Sequence, residues 1–316
     1  MRLLRILKPG VRTTCQDTGR FGYEAMGIGT SGAADPISYH LLNWLLGNPR
    51  NTPVLEIILG GFQAEILHEG ILGIAGAHMH ATLNHHPLRN WSRFHVHKGD
   101  TLRFGHAREG QIAYLGTPGG FACERLFGSV SVNPREGIGR PTATGDEITV
   151  SRSTPPSLPP ATLSESLRPD FSGDTLRLRY LPGYQVDWFD RNAFESATFT
   201  ITPQHDKMGC RLTGTPLLSD HTALISEGIS YGAIQITHEG DPIVLLGDRQ
   251  TLGGYPKIGT VLPIDGYRLV QYGSGTRIHF EPVTIEAAQR LLRPQKLDAV
   301  GWFPYGQSGT IQKEIL

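Results

Sequence analysis

Two stretches in the second half of the chain concentrate side chains able to bind and activate a small polar molecule. One is Pro203-Gln204-His205-Asp206-Lys207-Met208-Gly209-Cys210-Arg211-Leu212, and the other is 226–256, SEGISYGAIQITHEGDPIVLLGDRQTLGGYP. In the second, Asp248, Arg249, Gln250 and Thr251 follow the apolar run Ile243 to Leu246 and precede Gly253-Gly254-Tyr255-Pro256. Polar groups at a strand end, beside a Gly-Gly turn that allows close backbone approach, are suited to a rigid site. The same residues also suit a charged turn in which Asp and Arg satisfy each other.

Other constellations fail on context. Gly27-Ile28-Gly29-Thr30-Ser31-Gly32 spells a dinucleotide fingerprint, but no buried strand feeds it and the next acidic residue, Glu56, lies nearer 30 than 20 positions on. It reads as a Gly-rich loop before a capped helix. His78/His80 and His95/His97 each put two imidazoles on one strand face, yet no carboxylate follows in ATLNHH to complete a metal site. They read as hairpin-tip or solvent-facing histidines, so no metal is expected. Lys207-Met208 lacks the Met that should precede a biotinyl lysine, since Asp206 stands there, so the chain is not itself a biotin carrier. Cys15, Cys123 and Cys210 are odd in number and too far apart for a zinc pattern, which predicts free thiols in a reduced compartment.

The elements that must position these residues are mostly strands. The 316 residues hold 39 Gly and 22 Pro, a composition favouring short strands and many turns, and the length allows about two domains. Apolar and polar residues alternate in 63–67, 80–83, 93–96 and 101–104, and again in 176–180, 197–201 and 277–280. Between these sets, SRSTPPSLPPATLSESLRPDFS carries five prolines and six serines and reads as a linker. The predicted organisation is a β domain over 1–150, a Pro/Ser-rich linker over 151–173, a second β domain over 174–285, and a helix and tail over 286–316. A strand–turn–strand echo, HVHKGDTLRF (95–104) against VQYGSGTRIHF (270–280), leaves a duplicated barrel open. Helices are predicted over 36–46, capped by Asp35 with Pro36 in the first turn, over about 285–293, and near Asp187.

Equal numbers of basic and acidic residues, 29 each, argue against nucleic acid and anionic membranes as partners. No apolar run reaches the roughly 18 residues of a membrane span, and the start MRLLRILKPG is too interrupted for a signal-peptide core, so a cytoplasmic location is expected.

Taken together, QDTGRFGY (16–23), SGAADP (31–36), LEIILGG (55–61), PQHDKMGCRLTG (203–214), SEGISYGAIQ (226–235), GDPIVLL (240–246) and DRQTLGGYPKIG (248–259) resemble the 5-oxoprolinase C-subunit family. That family is also described as a biotin-dependent carboxyltransferase or allophanate hydrolase subunit 2 domain. The resemblance implies an all-β fold with a few short helices, built as two tandem cyclophilin-like β-barrels. It implies partner chains, the B and A-like subunits of 5-oxoprolinase, and three activities. One is the ATP-dependent hydrolysis of 5-oxoproline to glutamate by a hydrolase active only as a complex, with ATP, expected together with Mg2+, as cofactor. The second is transfer of a carboxyl group from carboxybiotin, carried by another chain, to urea or a similar amide. The third is non-enzymatic regulation, by binding a kinase inhibitor of the B-subunit type.

For a small amide or lactam, the resemblance implies roles for particular residues. Asp248 or Glu227 would act as base, and Lys207, Arg211 and Arg249 would supply positive charge. Gln204, Gln235 and Gln250 would donate amide hydrogen bonds, with Tyr255 beside them at the substrate. In the first half, Gln16, Asp17 and Arg20 are either a second site or a plug in the barrel.

Overall fold

A computed structural model describes residues 1–150, 158–219 and 224–292. The chain divides into two compact units: Met1–Arg20 with Asp35–Phe171, and Phe21–Ala34 with Ser172–Arg293. The loop 21–34, placed by sequence order in the first β domain, therefore belongs with the second unit.

The first unit has two six-stranded antiparallel sheets. One runs Glu147–Thr149, Arg2–Pro9, Phe62–Ile66, Thr101–Arg103, Thr82–Leu83, His86–Pro87; the other runs Ala161–Thr162, Ser92–Val96, Gly70–His78, Glu109–Gly116, Val54–Ile58, Arg12–Gln16. Alternation sends Leu4, Ile6, Phe62 and Leu102 of the first sheet and Leu55, Ile57, Leu72 and Leu115 of the second into one core. The helix Pro36–Leu45 forms as its cap residues dictate: Asp35 Oδ1 accepts from the Ser38 amide at 3.1 Å, and Pro36 opens the first turn. It lies close on the sheet because Gly73 and Gly116 have no Cβ. One there would come within 2.9 Å of Leu42 and 2.8 Å of Leu46, respectively.

The same helix carries a buried liability. The ring nitrogen Nδ1 of His40 is buried without a hydrogen-bond partner among the described residues. Burial, and then Arg50, push its pKa down from 6.5 to about 4. The unfolded chain therefore binds the extra proton first, so stability is lost as pH falls from about 6.5 toward about 4 and is unaffected by this group above that window. Thermal unfolding followed across that window should show a loss of about 2–3 kcal/mol at the acid end that His40→Gln does not show.

The second unit is a closed seven-stranded barrel in the order Thr175–Pro182, Lys257–Val261, Ala233–Ile236, Pro242–Leu245, Gly209–Thr213, Phe199–His205, Arg277–Pro282. An odd number of strands cannot close with every pair antiparallel. The seam falls between Thr175–Pro182 and Arg277–Pro282, which pair in parallel from Thr175↔Arg277 to Tyr180↔Pro282. Tyr180, Phe194, Phe199 and Phe280 pack ring against ring in its interior.

Several expectations need correction. The described part of the Pro/Ser-rich stretch is not a bare linker: Ala161–Thr162 pairs with Ser92–Val96, and Arg93 Nε donates to the Pro159 carbonyl at 2.8 Å. Without that pairing, Ser92–Val96 would be an open sheet edge. Residues 151–157 and the tail from 293 lie outside the described residues. The echo does not mark a duplication, because Ser92–Val96 and Thr101–Arg103 belong to different sheets, whereas 270–272 follow a helix, Pro263–Leu269. That helix was not predicted. Its Asp265 is buried and takes Arg179 Nε at 2.7 Å, Nη2 at 2.6 Å and the Arg179 amide at 2.9 Å. The predicted C-terminal helix is Ile285–Leu292, and the short element near Asp187 resolves into a turn Val186–Trp188 and a helix Arg191–Ser196 capped by Asp190. Among the described residues no helix is long and apolar enough to cross a membrane.

Candidate active site

The hairpin tip between Phe199–His205 and Gly209–Thr213 is shaped by Asp206, whose Oδ1 accepts from the Met208 amide at 2.8 Å. This turn presents Lys207 inward. The chain leaving Pro242–Leu245 runs against it, with the Leu246 amide on the Met208 carbonyl at 2.8 Å and the Asp248 amide on the Lys207 carbonyl at 2.7 Å. Lys207 and Asp248 are thereby fixed side by side by backbone pairing. Both side chains are buried, and Nζ stands 4.0 Å from Asp248 Oδ1.

The third member comes from the loop 21–34. Ser31 Oγ donates to Asp248 Oδ1 at 2.6 Å, its amide donates to the Gly247 carbonyl at 3.0 Å, and Lys207 Nζ donates to the Gly32 carbonyl at 2.8 Å. Ser31 adopts φ 54°, in the left-handed region where a non-glycine residue is uncommon. A buried serine held in that conformation is thus bonded to a buried carboxylate beside a buried ammonium.

Next to it, Arg249 reaches back with Nε to the Ile229 carbonyl at 3.2 Å and Nη1 to the Leu246 carbonyl at 3.3 Å. Burial lowers its pKa, and the nearby Glu24 carboxylate opposes that shift. Glu24 is held below the usual carboxylate range by its own backbone amide, by the Thr30 hydroxyl at 3.2 Å and by the Gly22 amide at 3.0 Å. Glu24, Thr30, Arg249, Gln250 and Thr251 border a cleft of about 30 Å3, roughly the space of one water.

A further polar cluster surrounds Glu227. It forms an ion pair with Lys257 and accepts from Tyr184 Oη at 2.5 Å, and Gln185 Nε2 lies 3.4 Å from its other oxygen. These contacts, the Lys257 hydrogen bond first, hold its carboxyl below the usual range. A carboxylate so stabilised is an acceptor and counter-charge, poorly matched to a base working near neutral pH. Glu227 pairs with Gly253, and a Cβ on Gly253 would come within 2.4 Å of Ile229 and 2.7 Å of Gln235 Nε2. Gln235 is buried, and that amide nitrogen has no partner among the described residues.

The structure thus brings Asp248 and Lys207 together, sets Arg249 and Gln250 on the adjoining cleft, and places Glu227 and Gln235 along the segment that ties to it. It does not bring in the rest. Gln204 is exposed, Arg211 is half-buried with its electrostatic influence on Glu239, and the Tyr255 ring packs edge-on against His238 at 5.3 Å. Sequence reasoning did not single out Ser31, Glu24, Thr30, Tyr184, Gln185 or Lys257. The signals for the first three were the run of turn glycines around them and, for Ser31, its place at the head of the SGAADP segment.

In the first unit, Gln16 Nε2 donates to Thr14 Oγ1 at 3.0 Å and to the Val132 carbonyl at 2.9 Å. Asp17 accepts from Ser129 Oγ at 2.5 Å, Ser131 Oγ at 2.8 Å and the amides of Gly19 and Val130 at 2.9 and 3.0 Å. Arg125 lies 3.6 Å away, and Arg20 donates to the Ser131 carbonyl. The Asp17 carboxylate is saturated in the way a structural plug needs, whereas Gln16 Oε1 is buried without a partner among the described residues. Cys15 and Cys123 are joined in a disulfide, so the expectation of three free thiols holds only for the buried Cys210. Among the described residues no group of three or more His, Cys, Asp or Glu is placed to hold a metal ion.

Residues 26–282 match the family model described as carboxyltransferase domain, subdomain A and B. The chain is 33% identical to the 5-oxoprolinase C subunit of Escherichia coli over 302 residues, covering 93% of this chain and 96% of that protein. It is 31% identical to the protein of the same name from Haemophilus influenzae, with the same coverage. Among solved structures, the Kluyveromyces lactis urea carboxylase superposes with a TM-score of 0.87 at 25% identity, covering 100% of this chain and 30% of that one.

Proposed function

The chain belongs to the carboxyltransferase-domain family that includes the C subunits of 5-oxoprolinase, and from that premise we propose that it is the amide-activating component of an ATP-dependent 5-oxoprolinase, working with the A and B subunits. The observation that supports this reading is the buried Ser31–Asp248–Lys207 cluster. A lactam presents its N–H and C=O on the same side of the ring. A carboxylate beside an ammonium, 4.0 Å apart, matches that pair: Asp248 accepts the N–H and Lys207 donates to the oxygen as charge develops there. Ser31 orients Asp248, and Gln235 offers a donor for a substrate carboxylate.

ATP does not fit the described cleft at Arg249, which encloses only about 30 Å3. The reading therefore assigns nucleotide and Mg2+ to a partner subunit, and to this chain the binding and orientation of the lactam. Purified A and B subunits and this chain, mixed with ATP, Mg2+ and 5-oxoproline, should form glutamate only when all three are present. Glutamate formation undiminished without this chain would sink the proposal.

A second reading rests on the family description and the urea carboxylase likeness. Urea and the ureido ring of biotin present the same N–H and C=O pair, so the same cluster would serve carboxyl transfer from a biotin carried by another chain. Avidin-sensitive carboxylation of urea, with no glutamate formed from 5-oxoproline, would select it.

A further inference from the structure

The Cys15–Cys123 disulfide has no part in the chemistry proposed above, yet it sits where it controls something. It spans 108 positions of sequence, with Cα atoms 6.6 Å apart. Cys15 precedes Gln16 and Asp17 directly, on the strand Arg12–Gln16. Cys123 opens the segment that supplies Arg125, Ser129, Val130 and Ser131 to the Asp17 carboxylate. The bond therefore pins that segment to the strand that leads into the buried acid.

It is also reachable. Cys15 is buried, but Cys123 is half-buried, and Ala122 and Glu124 beside it are exposed. Both cysteines line a cavity of about 210 Å3 whose other walls include Val130, Val132, Ile138 and Arg140. That volume accommodates a short thiol against a mostly apolar wall, and the Arg140 guanidinium at its rim is held by Asp146 at 2.7 and 2.9 Å.

We propose that Cys15–Cys123 is a thiol-exchange site, at which a low-molecular-weight thiol enters this cavity, attacks Cys123, and frees the segment that covers Asp17. In the first step the incoming thiolate bonds to Cys123 Sγ, the Cys15–Cys123 bond breaks, and Cys15 leaves as a thiolate that takes up a proton. In the second, another thiolate attacks the mixed disulfide, releasing Cys123 as a thiol and the two small thiols as their disulfide. The sum is one protein disulfide plus two small thiols giving two protein thiols plus one small disulfide, with two electrons moved to the protein. Attack falls on Cys123 because an approaching sulfur must meet the bond from its open side.

Cys210 serves as an internal control: it is buried, and burial pushes its thiol up to about 12, so it should stay unreactive in the folded chain. The test uses the full chain equilibrated in glutathione buffers of varied reduced-to-oxidised ratio, quenched with acid, alkylated and read by mass spectrometry. Cys15 and Cys123 should become alkylated together as a two-electron couple while Cys210 does not, and the Gly19 and Val130 amides should exchange hydrogen at least tenfold faster in the reduced form. With oxidised glutathione, Cys15→Ser should take up one glutathione on Cys123, and Cys123→Ser should take up none on Cys15. The proposal is overturned if Cys15 and Cys123 remain thiols at every ratio, if the bond opens only in denaturant, or if the two amides exchange equally in both forms. Absence of an adduct on Cys123 in folded Cys15→Ser overturns the route through the cavity. Should that variant not fold, the wild-type titration and exchange decide alone.

Discussion

Asp248→Asn should lower the rate of glutamate formation by the reconstituted complex about 100- to 10,000-fold, with a much smaller change in KM. The substitution is nearly isosteric, so the Asp248 amide can stay on the Lys207 carbonyl and Ser31 can still donate to the remaining oxygen. What it removes is the negative charge that would draw the lactam N–H and balance Lys207 across 4.0 Å. As the amide ionises, its N–H proton passes to Asp248 while charge builds on the oxygen beside Lys207, a transfer asparagine cannot accept, so the loss belongs in kcat. Ser31→Ala removes only the hydroxyl that orients the carboxylate and should cost about tenfold. The two effects should not multiply in the double variant, because Ser31 acts through Asp248. Folding is checked by circular dichroism: a buried Lys207 with a weakened counter-charge should lower Tm by a few degrees without unfolding the chain. Full activity of Asp248→Asn in a folded complex would remove Asp248 from the chemistry and leave the cluster a structural clasp.

How far the sequence foretold this arrangement depends on whether the contacts are local. The Pro36–Leu45 helix was legible because its cap, its first-turn proline and its apolar face all lie within a dozen residues. The strands were legible from alternation, and the convergence of Asp248, Arg249 and Gln250 from the polar strand end. Ser31 was not, because its partner is 217 positions away and nothing in GTSGAADP specifies a bond to a residue that far off. Lys257 was hidden for the same reason, lying 30 positions from Glu227, and its presence changes what Glu227 can do. The disulfide was misread because cysteine counting weighs number and spacing, whereas pairing requires Cα atoms within about 7 Å, which only the folded chain reveals. The helix Pro263–Leu269 was missed because Gly266 lowers its intrinsic propensity, and tertiary context overrides that: Gly266 packs under Tyr231, where a Cβ would stand 2.8 Å from the ring.

Asp17→Ala should destabilise the first unit by about 3–5 kcal/mol, which corresponds to a fall in its Tm of about 10 °C. The carboxylate is the common acceptor for two serine hydroxyls and two backbone amides, and it is the counter-ion nearest to Arg125. Ser129 and Ser131 are buried, so truncation strands their hydroxyls and the Val130 amide away from water, with the desolvation cost of each unmet. Arg125 is half-exposed and can turn to solvent, so its loss adds little. Asp17→Asn, which keeps one acceptor oxygen but turns an amide N–H toward a donor, should fall between wild type and alanine. Urea unfolding measured alongside glutamate formation at low temperature separates the two roles that Asp17 can play. A plug residue gives a large loss of stability with activity retained in whatever fraction stays folded. A site residue gives the reverse, and four saturating donors on one carboxylate favour the plug.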